Sequence, residues 1–356
     1  MDVAAEFWRG RRVLLTGHTG FKGSWMAIWL TSLGAQLHGL SVDVPTEPSL
    51  YRLSRIAESV EWIEADVRDY DSVEAAVART RPEVVVHMAA QSLVRRSFAD
   101  PRGTYETNVM GTVNVLEAVR RRGEDVRVVV NVTSDKCYEN REWEWGYRED
   151  EPMGGHDPYS NSKGAAELVT SAYRRSFFAD PGGARLASAR AGNVIGGGDW
   201  GEDRLVPDIM RGALAGTAVR VRNPNSIRPW QHVLNPLSGY LALAQALWDD
   251  PAAALGWNFG PADDDARPVG WLVGRIAERW PGGVRSELDP GPHPHEAHHL
   301  KLDSSRARAR LGWSPRWDLP AAVDAVVEWY AAYAAGDDAH AVTLAQIDRF
   351  ATARRG

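Results

Sequence analysis

The sequence predicts an open α/β fold, a doubly wound parallel sheet followed by a smaller C-terminal lobe of mixed α/β texture. Three observations predict it. Short β-branched runs alternate with helical stretches from Arg12 to about Arg190, and such alternation builds right-handed crossovers between parallel strands. The first run leads straight into G-H-T-G-F-K-G, where Gly17, Gly20 and Gly23 are spaced G-x-x-G-x-x-G. Beyond Arg190 the alternation gives way to glycine-dense and arginine-punctuated loops. The chain has 356 residues, more than a single core usually serves, so two lobes are expected.

In chain order, Arg12 to Thr16 is a short apolar strand, and the helix after the glycines runs through Trp25, Ile28 and Leu30. In that context glycines let the backbone approach a pyrophosphate, while the helix N-terminus offers free N–H groups and a positive dipole end. Gly17, Thr19, Gly20, Phe21 and Gly23 are therefore candidate contacts to a dinucleotide. The next strand, Leu37 to Val42, ends at Asp43, 20 residues past Gly23. An acid there accepts hydrogen bonds from a ribose and repels a 2′-phosphate, which favours NAD over NADP. A third strand, Trp62 to Glu64, leads to Asp66 and Val67, placed to flank an adenine. A fourth, Val84 to Val86, leads to H-M-A-A-Q, where small Ala89 and Ala90 let backbone pass close to a cofactor beside Gln91. Together these elements describe a Rossmann sheet.

The chemistry lies between Asn131 and Lys163. Val128, Val129, Val130 and Val132 read as a buried parallel strand, which sets Ser134, Asp135 and Lys136 at its carboxyl end, where ligands bind in open α/β sheets. Asp157-Pro158 starts a helix, with Asp as N-cap and Pro at the first helical position. Tyr159 and Lys163 are then four apart on one helix face. An ammonium beside a phenol favours the phenolate and lowers a tyrosine pKa from about 10 toward working pH. Such a pair can take a proton from a sugar or alcohol hydroxyl. The single cysteine, Cys137, reads as a small buried hydrophobe. The insert Trp143-Glu144-Trp145-Gly146-Tyr147 is expected to roof the site against water or to pack against the second lobe.

In the second half, the glycine-dense Ala191 to Trp200 is expected to carry no regular structure. Asp203 to Ile209 opens a helix, Val219 to Pro224 is a short basic strand, and I-R-P-W-Q-H-V follows at Ile227 to Val233. These loops suit an anionic ligand held by arginine, whose fork clamps phosphate bidentately. His295 to His299 satisfies H-E-x-x-H, but that pattern binds zinc only on a helix; the G-P-H-P-H entry is proline-broken, so no metal is expected. Hydrophobic content of 44%, charged content of 25% and a net charge of −6 with dispersed arginines fit a globular protein without a nucleic-acid footprint. No apolar run approaches a membrane span of roughly 18 residues. The opening residues lack the order of a signal peptide and one cysteine excludes an internal disulfide, so a cytoplasmic setting is expected.

The Tyr159–Lys163 pair behind a glycine fingerprint resembles the extended short-chain dehydrogenase/reductase superfamily, in the branch acting on nucleotide sugars. T-S-D-K-C-Y from Thr133 and G-G-G-D-W from Gly196 narrow the resemblance to its CDP-glucose 4,6-dehydratase group, and T-N-V-M-G-T, I-R-P-W-Q-H-V and H-P-H-E-A-H-H-L-K-L-D extend it over nearly the whole chain. The resemblance implies a redox-neutral dehydration of CDP-glucose with NAD retained. Tyr159, steadied by Lys163, would take the 4-hydroxyl proton, Ser134 would bind that oxygen, and Asp135 would protonate the departing 6-hydroxyl. Lys163 would also hold the nicotinamide ribose, and Asn108 would tie active-site water to backbone. Lys136 stands where the TDP-glucose dehydratases carry a glutamate, and is the candidate carbon 5 base. Ser92, Asn193, Arg204, Leu205, Arg222, Arg228, His232 and His298 would bind the substrate. The implied division is 1–190 with a return segment at about 233–261 for the NAD-binding domain, and 191–232 with 262–356 for the nucleotide-sugar lobe. A homodimer or homotetramer paired through the Tyr159 helix and the helix at about Thr104 to Arg121 is implied as well. An epimerase or another nucleotide-sugar dehydratase on the same fold is the alternative; an epimerase needs no acid at Asp135.

Overall fold

A computed structural model describes residues 2–180, 182–289, 291 and 300–353. Seven strands form one parallel sheet: β1 (Arg12–Thr16), β2 (Gln36–Ser41), β3 (Glu61–Glu64), β4 (Val84–His87), β5 (Val128–Val132), β6 (Arg185–Arg190) and β11 (Gly256–Asn258), in the order β3-β2-β1-β4-β5-β6-β11. The chain winds one way from β1 to β3, then returns past β1 to add β4. That reversal opens a crevice at the carboxyl ends of β1 and β4, the place where ligands bind in such sheets. Thr16 and His87 end those strands as register partners, and Thr16 Oγ1 lies 2.7 Å from His87 Nδ1. The same hydroxyl accepts from the backbone N–H of Met88 and Ala89, both at 3.1 Å. The five strands expected in the sheet are present with ends shifted by at most one residue, while the short basic strand expected at Val219 to Pro224 stops at Val221.

The sheet is sandwiched because its valine-rich strands are apolar on both faces. Val84, Val86, Val128 and Val130 face one core, and Val85 and Val129 the other. The Phe21–Ser32 helix is covered in turn by the C-terminal helix Ala339–Thr352, which also packs on the helix Leu319–Ala335; Trp29 meets Phe350 edge to face at 5.8 Å. Small two-stranded sheets make up the rest. β7 (Val194–Ile195) pairs with β10 (Gln231–His232), β8 (Val219–Val221) with β13 (Ser286–Leu288), and β9 (Ile227–Pro229) with β12 (Ala266–Pro268). β7 corrects one expectation: the glycine-dense stretch does hold regular structure, since β10 satisfies its backbone groups in parallel register. Among the described residues no helix is long and apolar enough to cross a membrane.

A buried ion pair joins the catalytic strand to its neighbours. Glu167, on the Pro158–Ser176 helix, accepts from Thr133 Oγ1 at 2.5 Å, Ser188 Oγ at 2.7 Å and Arg190 Nη2 at 2.7 Å. Arg190 Nη1 continues to the Tyr138 hydroxyl at 2.6 Å and the Glu149 carbonyl at 3.0 Å. Both charges are almost fully buried. Removing one partner of such a pair leaves the other unpaired in a dry site, which costs about 3–5 kcal/mol. Arg190→Met should therefore lower the unfolding free energy by that amount in urea titration, with Arg190→Met/Glu167→Gln less damaging than the sum of the single changes. A loss below about 1 kcal/mol for the single variant would show that the pair is not a structural tie.

Candidate active site

The glycine loop forms a cradle that side chains would fill. Gly17 takes φ 77°, and a Cβ there would stand 2.8 Å from the Ala89 nitrogen; one on Gly23 would overlap the Gly17 carbonyl. Both loops therefore approach as only glycine permits. Gly20 N-caps the helix beginning at Phe21. Thr19 Oγ1 donates to the Asp43 carbonyl at 2.6 Å, which ties the cradle to the end of β2 and leaves the exposed Asp43 carboxylate at its rim. Asp66 is held by Arg68 through its backbone N–H and guanidinium, and this hydrogen bonding keeps its carboxyl below the usual range. Val67 is buried against Gly111, so its side chain belongs to the core and only its backbone can face an adenine. The cradle, with Asp43 at its edge, fits an NAD-type dinucleotide.

Gln91 and Asn108 interlock beside Ala90. Asn108 Oδ1 accepts from the Gln91 N–H at 2.8 Å, and Asn108 Nδ2 donates to the Gln91 carbonyl at 3.0 Å and to Ser162 Oγ at 2.9 Å. Asn108 sits in a π-turn, Glu106–Met110, inside the run from Pro101 to Arg122; such bulges re-aim a side chain and are frequent at functional sites. It thereby links the loop after β4 to the helix carrying Tyr159.

At the end of β5, Ser134 Oγ donates to Asp135 Oδ1 at 3.0 Å and accepts from the Lys136 N–H. The Asp135 carboxylate lies directly over Gly192, where a Cβ would overlap it. The Asp157 side chain caps the helix through the Ser160 N–H at 2.9 Å, which brings Tyr159 and Lys163 onto the cleft side as expected; both are buried. Ser134 lies beside the Tyr159 phenol and favours its ionised form, and Lys136 Nζ stands 5.9 Å from the Tyr159 ring centre. Ser134, Asp135, Lys136 and Tyr159 thus form one cluster.

The electrostatics correct one expectation. Lys163 does not draw the Tyr159 phenol down: burial, with the Asp135 charge adding to it, pushes the phenol up to about 12, against smaller opposing effects of Ser134 and Arg204. Burial pushes Lys163 itself down to about 8, which weakens the charge it was expected to supply. The arginine facing the phenol is Arg204, whose Nη1 reaches both Asp199 oxygens at 3.2 and 3.1 Å and whose Nη2 donates to Ser92 Oγ at 2.9 Å. Arg204 and Ser92 therefore meet at the Tyr159 end of the cleft. Leu205 opens the Leu205–Ala215 helix behind them, and Asn193 holds φ 47° and accepts from the Gln231 N–H. Arg222 pairs with Asp203 at 3.1 Å, and Arg228 lies on β9 with Nη1 donating to the Ile227 carbonyl. His232 is a second correction. It is fully buried between Trp25 and Trp317, accepts from the Leu234 N–H through Nδ1, and is pushed down to about 3 by that burial; it packs the core instead of lining the cleft. His298 and the H-E-x-x-H run lie outside the described residues. Two groups escaped sequence reading. Lys22, inside the glycine motif, donates to the Tyr240 hydroxyl at 3.5 Å and is pushed down to about 8 by burial and by Lys163. Tyr240, from the Leu234–Asp249 helix, faces Asp135 and Tyr159, and no local signal marks it. The insert follows the second of its two expectations: Tyr147 is buried, its N–H donates to the Lys301 carbonyl and its carbonyl accepts from the Asp303 N–H, both at 2.9 Å.

These shifts set a sign for pH. Between about 8 and its ordinary 10.5 Lys163 is protonated mainly in the unfolded chain, and Lys22 behaves alike; stability rises with pH where the unfolded state binds more protons. Cys137, raised by burial from 9.0, and Tyr159 oppose this only from about pH 9 upward. The wild-type melting midpoint should therefore gain more between pH 8 and 9 than that of Lys163→Met. Equal gains would contradict the buried, deprotonating lysine.

Known proteins match this architecture. The family model described as GDP-mannose 4,6 dehydratase matches residues 14–326. The CDP-glucose 4,6-dehydratase of Salmonella typhimurium is 53% identical over 341 residues, covering 94% of this chain and 95% of that protein. The UDP-glucose 4-epimerase of Mycolicibacterium smegmatis is 29% identical, over 90% of this chain and 98% of its own. Among solved structures, the Thermus thermophilus UDP-glucose 4-epimerase complex with NAD superposes with a TM-score of 0.77 at 27% identity, over 90% of this chain and 99% of that one. The chain belongs to the GDP-mannose 4,6-dehydratase family of extended short-chain dehydrogenases/reductases.

Proposed function

We propose that this chain catalyses the NAD-dependent, redox-neutral 4,6-dehydration of CDP-glucose to CDP-4-keto-6-deoxyglucose. The observation that carries the reading is a buried acid, Asp135, between Ser134 and Tyr159: removing a proton from a sugar hydroxyl needs only the tyrosine, whereas expelling a hydroxyl as water needs a second group that delivers a proton. The 53% identity to the Salmonella enzyme supports CDP-glucose over other nucleotide sugars.

Tyr159 takes the 4-hydroxyl proton, and Ser134 holds that oxygen. The cradle would hold NAD, which would supply the acceptor for the carbon 4 hydride and its return to carbon 6. The ketone acidifies the carbon 5 hydrogen, a base removes it, and Asp135 protonates the departing 6-hydroxyl, so one water leaves; the base returns a proton to carbon 5 as carbon 6 regains the hydride, and no net oxidation occurs. Lys136 is the carbon 5 base in this reading, acting as the neutral amine, with its Nζ 5.9 Å from the Tyr159 ring centre. Gly17, Thr19, Gly20, Phe21, Gly23, Asp43, Asp66, Val67, Ala89, Ala90, Gln91, Asn108 and Lys163 frame the cofactor, and Arg204 and Ser92 the hexose. Asn193, Leu205, Arg222 and Arg228 frame the nucleotide diphosphate, together with His298. The domain division at 1–190 with 233–261, and 191–232 with 262–356, follows from the same reading, as does a cytoplasmic setting. Phe98, Tyr105, Met110 and Leu168 expose apolar side chains on or beside the two helices expected to pair, and monomers rarely leave such a surface uncovered, so the chain works as a homodimer or a dimer of dimers.

One sample tests these statements together. CDP-glucose incubated with the purified protein and NAD should lose one water by mass spectrometry, with no net NADH, while light scattering reads a mass of two or four chains. In deuterated buffer the wild type should place solvent deuterium at carbon 5. An unchanged sugar mass would sink the dehydratase reading, a monomer would sink the pairing, and Lys136→Ala that still incorporates deuterium at carbon 5 would remove that lysine as base.

A further inference from the structure

Two bridges cross from the loop and helix after β4 to the segment that follows the glycine-dense loop. The first is Ser92–Arg204–Asp199, already placed at the Tyr159 end of the cleft. The second lies beside it: Arg95 Nη1 at 2.9 Å and Arg222 Nη2 at 3.1 Å donate to the same oxygen, Oδ1, of Asp203. Asp203 holds a left-handed φ of 56° immediately before Arg204, a backbone that Asp and Asn adopt more readily than other non-glycine residues. That conformation turns its carboxylate outward between the two arginines.

Within this second bridge the charges do not balance, since Asp208, the other acid facing Arg222, already pairs with Arg211. Two guanidiniums share one carboxylate oxygen, and all three side chains are partly open to water, at 45% for Arg95, 28% for Arg222 and 42% for Asp203. A tie between two parts of the chain needs one arginine, and exposed pairs contribute little stability. Each guanidinium carries five N–H donors in a fixed fork, and a single shared oxygen engages one N–H of each. A diphosphate brings more negative charge and several acceptor oxygens in the geometry that such forks match bidentately.

We propose that Asp203 is a placeholder for the substrate's diphosphate, and that Arg95 is a substrate-binding residue which leaves Asp203 for a phosphate oxygen when the nucleotide sugar enters. Arg222 makes the same exchange from the opposite side. This inference rests on the reading that Arg222 and Arg228 face the diphosphate. Substrate affinity is then a difference between two sets of ion pairs, and Asp203 lowers it by competing for the same donors. The exchange also selects for charge: a ligand with a single phosphate replaces Asp203 on one arginine and leaves the other paired as before.

Calorimetric titration of CDP into the protein with NAD present tests this without turnover, because CDP lacks the hexose. Asp203→Asn keeps the left-handed backbone while removing the competing charge, and should tighten CDP about three- to fivefold, the weight of an exposed ion pair. Arg95→Ala should weaken CDP about tenfold, as for one charge-assisted hydrogen bond, and should flatten the salt dependence. Unchanged or weaker CDP binding by Asp203→Asn would overturn the placeholder. If Arg222→Ala weakens CDP and Arg95→Ala does not, Arg95 is no ligand and the inference fails while the diphosphate reading stands. If neither arginine variant changes CDP affinity, the diphosphate reading itself falls, and the inference with it.

Discussion

A carboxylate taken out of water must be satisfied by the protein around it, and Glu167 is satisfied by three side chains from two strands. Thr133 comes from the end of β5, and Ser188 and Arg190 from β6. Arg190 then reaches Tyr138 and Glu149, on either side of the tryptophan insert. The strand end bearing Ser134, Asp135 and Lys136 is therefore held in register with the helix bearing Tyr159 and Lys163 by one polar knot. Strand and helix meet in the cleft because that knot leaves them no other arrangement without an unpaired charge.

The second constraint is steric. Gly17 against Ala89, Gly23 against the Gly17 carbonyl, and Gly192 against Asp135 are approaches that a methyl group would prevent. Two of these shape the dinucleotide cradle, and the third seats the acid. The cleft is thus defined from the sheet side by backbone and from the opposite side by arginines anchored to acids: Arg204 on Asp199, Arg222 and Arg95 on Asp203. This division suits a reaction in which one face handles hydride and proton while the other holds a charged handle that stays attached through the cycle.

Burial changes the chemistry of the residues it assembles. A Tyr–Lys pair read from spacing alone suggests a phenol made acidic by its neighbour, yet burial desolvates both, pushing Tyr159 up to about 12 and Lys163 down to about 8. Spacing reports adjacency, and adjacency does not report how much water remains. His232 illustrates the same limit. Its motif neighbours suggested a ligand-binding loop, but the pairing of β10 with β7 turns it into the space between Trp25 and Trp317.

By itself the sequence determined the doubly wound sheet, the glycine cradle, the acid after β2, the Ser134–Asp135–Lys136 strand end and the Tyr159–Lys163 helix face, because each depends on local periodicity, capping or a motif whose members are neighbours in the chain. Asp157 capping its own helix and Gly20 opening another are short-range events that no distant contact has to supply. Only the tertiary structure decided which cations surround the phenol, that Tyr240 and Lys22 share its cleft, that the insert docks on residues 300–303, and that Arg95 and Arg222 converge on Asp203. Those arrangements join residues separated by 19 to 218 positions, and they arise from packing and desolvation, which act on the folded surface and leave no trace in the spacing of any one segment.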